Sequence, residues 1–175
     1  MKHIKHVLLS THRDSRGALT EIFRQDWVDS PLAVQWNLVQ SEANVLRGVH
    51  LHVKHFDYLV VIKGHMQVGM CDLREEITGD RTGSLVDLIE GSRSMLVIPP
   101  GVAHGFYFPE PTTFVYGVSE YWDPIHDELG CRWDDAALGI PWPKAITPLL
   151  SEHDKAASSL AALLTKLQCD GYAFC

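Results

Sequence analysis

Short runs of β-forming residues alternate with turn residues through the middle of the chain, and this pattern limits the possible folds. Breakers separate the runs, among them Lys63-Gly64, Glu90-Gly91 and Pro99-Pro100-Gly101. Many short strands joined by regular turns favour an all-β sandwich or barrel. The predicted strands cover residues 34–39, 58–62, 66–72, 84–89, 94–98, 105–108 and 113–119.

After the last predicted strand the period of the apolar residues changes from that of a strand to that of a helix. Ser151 is predicted to cap a helix that starts at Glu152, with Asp154 at the third position. The apolar face of this helix comprises Ala156, Leu160, Leu163, Leu164 and Leu167. We therefore expect a single domain over residues 1–175, with the barrel at about 30–125 and a C-terminal wrap and short helix at 126–175.

Composition disfavours several classes of partner and location. Net charge is −7, which argues against nucleic acid and anionic membrane as partners. No run approaches the roughly 18 apolar residues of a membrane span, and no apolar segment follows the basic N-terminus as it would in a secretory signal. The four cysteines show no CxxC pairing, so we expect reduced thiols and a cytoplasmic location.

Three histidines and one carboxylate are spaced so that a small barrel could bring them together. His50 and His52 are one residue apart and would point the same way from a strand. Asp57 and His104 would come from neighbouring strands. Such a cluster suits either proton abstraction or the binding of a divalent Zn, Fe, Ni, Mn or Co ion, and residue types alone do not choose between them.

Short motifs in a fixed order run through residues 10–157. They include Asp14-Ser15-Arg16-Gly17, Asn44-Val45-Leu46-Arg47-Gly48-Val49-His50, Pro99-Pro100-Gly101-Val102-Ala103-His104, Gly139-Ile140-Pro141-Trp142-Pro143 and Leu150-Ser151-Glu152-His153-Asp154. Together these motifs resemble the dTDP-4-dehydrorhamnose 3,5-epimerase family, which comprises nucleotide-sugar epimerases of the cupin fold.

The resemblance implies a double-stranded β-helix (jelly-roll) barrel, a homodimer, no required cofactor and a nucleoside-diphosphate 4-keto-6-deoxy sugar as substrate. It assigns His50 as the general base, Asp154 as the carboxylate that orients it and Tyr116 as the proton donor. The positions that it assigns to substrate binding are Arg16, Glu21, Gln35, Asn37, Arg47, Trp122 and His104. A proton α to a ketone is acidic enough for an imidazole to remove when the enolate is stabilised.

The chain departs from the family pattern inside the expected active site, which leaves two alternatives open. Asp57 stands where the family usually has a lysine that stabilises the enolate, and His52 stands where it has glutamine. Because His50, His52, Asp57 and His104 approach the ligand pattern of metallo-cupins, one alternative is a metal-dependent isomerase or dioxygenase. A metal could also replace the lysine as Lewis acid, with another group as base. The other alternative is a binding module for sugar nucleotides that has lost turnover.

Overall fold

The computed structural model describes residues 4–74, 83–121, 123 and 129–172. Within them the chain is mostly β-structure, as predicted. The strands are β1 (Lys5–Leu8), β2 (Thr11–Asp14), β3 (Gly17–Thr20), β4 (Gln35–Ser41), β5 (Val45–Leu51), β6 (Asp57–Lys63), β7 (His65–Asp72), β8 (Ser84–Ile89), β9 (Ser94–Ile98), β10 (Val102–Phe108), β11 (Thr112–Val118) and β12 (Leu129–Gly130). The α-helices are α1 (Glu152–Lys155) and α2 (Leu160–Cys169). No helix in this part of the chain is long and apolar enough to cross a bilayer.

Two five-stranded antiparallel sheets form the body of the molecule. Their strand orders are β1-β9-β6-β11-β4 and β12-β5-β10-β7-β8, and β2 pairs with β3 as a separate hairpin. All seven predicted strands are present, with ends that differ by up to three residues. Prediction missed β1, β2, β3 and β12, and it placed His50 and His52 on one strand, whereas β5 ends at Leu51, one residue before His52.

The apolar core forms in three layers because strand side chains alternate between faces. In β6, Leu59 contributes to the cluster between the two sheets, where it joins Val68, Phe108 and Phe114 from other strands. Its neighbours Tyr58 and Val60 belong to a second cluster with the N-terminal segment, and a third cluster joins the second sheet to α2. The outer faces of both sheets are therefore partly covered. Because β6 is covered on both of its faces, its sequence is a continuous run of apolar residues.

The segment after β12 packs against the second sheet through Trp133, Ile140 and Trp142. Gly69 in β7 lies under Trp142, and a Cβ at this position would approach the indole ring within 2.5 Å. The indole nitrogen of Trp142 donates a hydrogen bond to the carbonyl of Trp133 at 3.0 Å. A glycine inside this strand is thus explained by the close packing of the wrap.

The predicted C-terminal helix begins where expected but is divided in two. Ser151 Oγ accepts a hydrogen bond from the backbone N–H of Asp154 at 3.1 Å, which confirms the cap. The helix does not continue through Ala156, because Ser159 caps a separate α2 and the carboxylate of Asp135 accepts from the N–H of Leu160 at 2.9 Å. Leu160, Leu163 and Leu167 are buried and Leu164 is partly buried, which confirms the predicted apolar face within α2, whereas Ala156 precedes this helix and is exposed.

Candidate active site

A cavity of about 620 Å³ opens into the barrel, and both sheets and the start of α1 contribute to its wall. It brings together residues that are distant in the sequence. The predicted site residues that line it are Asn37, Arg47, His50, His52, Asp57, His104, Tyr116 and Asp154. Its apolar lining includes Val39, Val45, Phe106, Phe114 and Leu149, so the polar groups sit in a partly dry enclosure.

His50 and Asp154 form a hydrogen-bonded pair in the wall of this cavity. The Nε2 atom of His50 lies 2.8 Å from Oδ1 of Asp154, although 104 residues separate them in the sequence. A carboxylate can only accept, so Nε2 carries the proton and donates it. In the neutral ring the lone pair is therefore on Nδ1, which is the atom that can act as a base.

The start of α1 holds Asp154 in position behind the imidazole. The side chain of Asp154 is only 6% exposed, and the backbone N–H of Gly48 approaches Oδ2 at 3.4 Å. Burial alone would raise the pKa of Asp154, but the hydrogen bond and charge of His50 outweigh burial and bring the pKa below its ordinary value. Asp154 is thus ionised at neutral pH and can stabilise an imidazolium on His50.

A close approach of two strands sets the position of His50 relative to His104. Gly48 has a φ of +108°, and a Cβ there would lie 2.9 Å from the Cα of Gly105. The register between β5 and β10 pairs His104 with His50 and shifts between His104 and Phe106. Only glycine combines this backbone angle with this spacing, so Gly48 brings both imidazoles to the same end of the barrel.

Tyr116 and Asn37 face the cavity from the opposite sheet. They lie directly across from each other on β11 and β4. The Oδ1 atom of Asn37 accepts from Nε2 of Gln35 at 3.0 Å, whereas its Nδ2 atom is buried and has no hydrogen-bond partner among the described residues. A buried donor without a partner is costly, so Asn37 is suited to bind a polar group that enters the cavity.

Arg47 lines the same cavity and its side chain is exposed. Within the described part of the chain its guanidinium takes part in no ion pair, although sequence proximity allowed pairing with Glu42. An arginine fork that faces a cavity binds two oxygens of a phosphate at once.

His52, His55, His104 and Asp57 form a second polar group deeper in the barrel. Oδ1 of Asp57 is 3.7 Å from Nε2 of His55, and Oδ2 is 3.7 Å from Nε2 of His104. Burial alone would raise the pKa of Asp57, but the charge of His52 and a hydrogen bond from His55 hold this pKa below its ordinary value. Burial lowers the pKa of His104 to about 4, so its ring is neutral at pH 7.

Three residues that the resemblance assigns to substrate binding do not line this cavity. Arg16 is in the turn of the β2–β3 hairpin, where its exposed guanidinium lies 2.6 Å from Asp14. Glu21 lies 3.7 Å from Arg24. Gln35 does not reach the cavity itself but donates a hydrogen bond to Asn37, which does. Trp122 is outside the described residues. The roles of these four residues remain predictions.

Two histidines that were not among the predicted site residues also line the cavity. His55 is 2% exposed and stacks on His52 with ring centroids 4.0 Å apart. His153 also lines the cavity, and its Nδ1 atom is 3.6 Å from Oδ1 of Asp154. The position of His55 between His52 and Asp57 was the one signal that could have drawn attention to it.

Comparison with known proteins places this geometry in a family. The family model for dTDP-4-dehydrorhamnose 3,5-epimerase matches residues 1–162. A dTDP-4-dehydrorhamnose 3,5-epimerase of Sinorhizobium fredii is 31% identical over 166 residues, which are 89% of this chain and 84% of that protein.

Solved structures agree with the family model. The dTDP-4-dehydrorhamnose 3,5-epimerase of Bacillus anthracis, with TDP and PPi bound, is 30% identical, with a TM-score of 0.80 over 90% of this chain and 94% of that one. ChmJ, a 3'-monoepimerase from Streptomyces bikiniensis in complex with dTDP-quinovose, is 26% identical, with a TM-score of 0.81 over 94% and 87%. These likenesses confirm the predicted cupin barrel. The chain belongs to the dTDP-4-dehydrorhamnose 3,5-epimerase family.

Proposed function

We propose that this chain is a nucleotide-sugar epimerase that removes the proton α to the keto group of a nucleoside-diphosphate 4-keto-6-deoxy sugar, at C3, C5 or both. The observation that carries the proposal is the His50–Asp154 pair at 2.8 Å, which shares a cavity with Tyr116. The substrate class agrees with the relatives, whose names specify dTDP-sugar epimerisation.

In the proposed reaction Nδ1 of His50 takes the proton from the carbon next to the ketone. The electron pair of the broken C–H bond moves to the keto oxygen and forms an enolate, while Asp154 stabilises the imidazolium. Tyr116 then gives its phenolic proton to the opposite face of the same carbon, and the electron pair returns from oxygen to carbon. The configuration of that carbon is inverted, and no redox change occurs.

The residues around the pair are suited to hold the rest of the substrate. Arg47 would bind the diphosphate with its planar fork, and the buried Nδ2 of Asn37 would donate to the base or sugar. Val39, Phe106 and Phe114 line the cavity and would exclude water from the reacting carbon. In a partly dry site each of these polar contacts is stronger than it would be in water.

The test of the proposed function is incorporation of deuterium from solvent. We expect dTDP-4-keto-6-deoxyglucose incubated with the protein in D2O to gain deuterium at C3 or C5, as measured by NMR. The exchanged carbon identifies the reacting centre. Tight binding of the sugar nucleotide without exchange at either carbon would contradict the proposal and support a binding module.

Replacing Tyr116 with phenylalanine is expected to separate proton removal from inversion. Deuterium incorporation should persist within about tenfold of the wild-type rate, while epimerised product falls by about a hundredfold, because His50 can return a proton only to the face from which it took it. NMR of the product measures both quantities. Tyr107→Phe is the matched control, since Tyr107 lies outside the cavity and its hydroxyl bonds Asn44 at 3.2 Å. Unchanged product in Tyr116→Phe would exclude the donor role.

We also propose that the protein is a homodimer that associates through the outer face of β4. Trp36 and Leu38 on this edge strand are 41% and 68% exposed. Adjacent apolar side chains of this size on one strand are typical of a contact surface. A partner chain would also give Arg16, which does not line the cavity of its own chain, a site at which to bind substrate.

The Leu38→Asp substitution is expected to shift the protein from dimer to monomer, because it places a charge in the proposed apolar contact. Light scattering after size exclusion would measure the mass. Ile89→Asp is the control, since Ile89 is 46% exposed on the edge strand of the other sheet. A monomeric wild type, or equal masses for the wild type and Leu38→Asp, would contradict the proposed surface.

A second candidate function is a metal-dependent cupin isomerase or dioxygenase. The observation that favours it is the group His52, Asp57 and His104, whose ligand atoms lie within 4.8 Å of one another. His50, the fourth predicted ligand, instead belongs to a group with His153 and Asp154. The family generally works without a cofactor. Conversion of the keto sugar by the chelated protein at the full rate would exclude this candidate.

We infer a cytoplasmic location for this activity. Cys71, Cys131 and Cys169 form no disulfide with one another. Reduced thiols fit a reducing compartment.

A further inference from the structure

The cluster at the deep end of the cavity contains a buried carboxylate, Asp57, whose neighbours in the described part of the chain are imidazoles. Asp57 is 4% exposed, at the first position of β6. In the described part of the chain, the titratable groups that act on it are the imidazoles of His52, His55 and His104 rather than a lysine or arginine. A buried charge needs compensation by a cation or by several hydrogen bonds.

The hydrogen bond between His104 and Val102 determines which nitrogen of His104 carries the proton. Nδ1 lies 3.0 Å from the carbonyl of Val102, so it carries the proton and donates it. In the neutral ring Nε2 then holds a lone pair, and it lies 3.7 Å from Oδ2 of Asp57. Two acceptors therefore face each other without a proton between them, which is the arrangement of two ligands of one cation.

We propose that His52, Asp57 and His104 bind a divalent first-row transition-metal ion. One nitrogen or oxygen of each residue lies within 4.8 Å of the others. Two ligands each about 2.1 Å from a tetrahedral ion would be about 3.4 Å apart, close to the 3.7 Å between His104 and Asp57. Two histidines and one carboxylate would leave further coordination positions for a ligand from the cavity, which all three residues line.

His55 supports this ligand set from behind. It stacks on His52 with ring centroids 4.0 Å apart, and its Nε2 is 3.7 Å from the second carboxylate oxygen of Asp57. Residues that contact the ligands in this way fix their orientation. His50 stays outside the set because its ring nitrogen groups with His153 and Asp154 and not with these three ligand atoms, so the base and the ion do not compete for the same imidazole.

The role of the ion rests on the proposed epimerase function. A divalent ion at Asp57 turns a site that would repel an enolate into one that stabilises it, because the ion can accept the keto oxygen as a ligand. It would act as a Lewis acid at the position where the family usually has a lysine. No electron transfer is involved, and the proton still moves from carbon to His50.

The site is tested by cobalt binding to the full-length protein after removal of metals with a chelator. We expect one Co²⁺ per chain, with visible absorption typical of nitrogen and oxygen ligands. Asp57→Asn and the more exposed His52→Gln should each lower the affinity by about a hundredfold. The His65→Gln substitution should leave the affinity unchanged, because His65 pairs with Asp87 at 2.6 Å outside the cavity. Circular dichroism would show which variants fold.

Two results would overturn the proposal. One is a folded wild type that binds no Co²⁺. The other is a signal that persists in folded His52→Gln but is lost in His153→Ala, which would place the ion at His50, His153 and Asp154, the other group of possible ligands. Because no substrate is present in this titration, its result does not depend on the epimerase proposal.

The Lewis-acid role has its own readout. We expect the chelated protein to incorporate deuterium at least tenfold more slowly than the protein reloaded with Co²⁺. Equal exchange with and without the ion would exclude this role. An absence of exchange in both forms would instead contradict the epimerase proposal, so the two failures are distinguishable.

Discussion

The His50→Asn substitution is expected to lower kcat for deuterium exchange and for epimerisation by about a thousandfold, which is within the usual range for loss of a general base. Asparagine retains an amide that can still donate to Asp154 but has no basic nitrogen to receive the proton. The binding constant for the nucleoside diphosphate should change less than threefold, because Arg47 and Asn37 are untouched. NMR in D2O and calorimetric titration would measure the two effects.

A matched control for this change exists in the same chain. His65 also pairs with a carboxylate, Asp87, but it lies outside the cavity. The His65→Asn variant should therefore keep the wild-type exchange rate. If His50→Asn exchanged protons as fast as His65→Asn, another group would have to be the base.

The Asp154→Asn substitution is expected to lower kcat by a factor between about a hundred and ten thousand, although the carboxylate does not touch the substrate. The first reason is loss of the negative charge that stabilises the imidazolium. The second reason is a change of tautomer. An amide N–H that points at Nε2 of His50 favours the ring that carries its proton on Nδ1. That proton occupies the lone pair that the reaction needs.

Nitrogen NMR of the imidazole would separate a positioning role of Asp154 from a structural one. We expect His50 to change from the Nε2–H tautomer to the Nδ1–H tautomer in Asp154→Asn, while the fold stays intact. Asp87→Asn is the control, since it alters the His65 pair and leaves the cavity unchanged. A wild-type rate in Asp154→Asn would show that the carboxylate acts only as part of the α1 helix.

Several features were predictable from the sequence because their causes are local. Strand alternation and glycine or proline turns predicted seven strands to within three residues at each end. The Ser151 cap was equally local, because Ser151 and Asp154 are only three residues apart. The division of the helix was not predictable, since the carboxylate of Asp135 that accepts from Leu160 comes from a segment 25 residues away.

The pairing of His50 with Asp154 came from family resemblance rather than from residue spacing, since the contact joins residues 104 positions apart. The resemblance did not predict which histidines share the deep cluster. His55 reaches Asp57 because the chain bends between the end of β5 and the start of β6, which no local pattern encodes.

The sequence by itself determined an all-β chain, its family and the kinds of side chain available for chemistry, because those follow from local patterns and motif order. Only the tertiary structure decided how the four predicted metal ligands divide. The strand β5 directs His50 toward α1 and Asp154, while His52, just beyond its end, faces Asp57 and His104. The physical reason is register: β-sheet pairing and the Gly48–Gly105 approach fix which distant side chains meet.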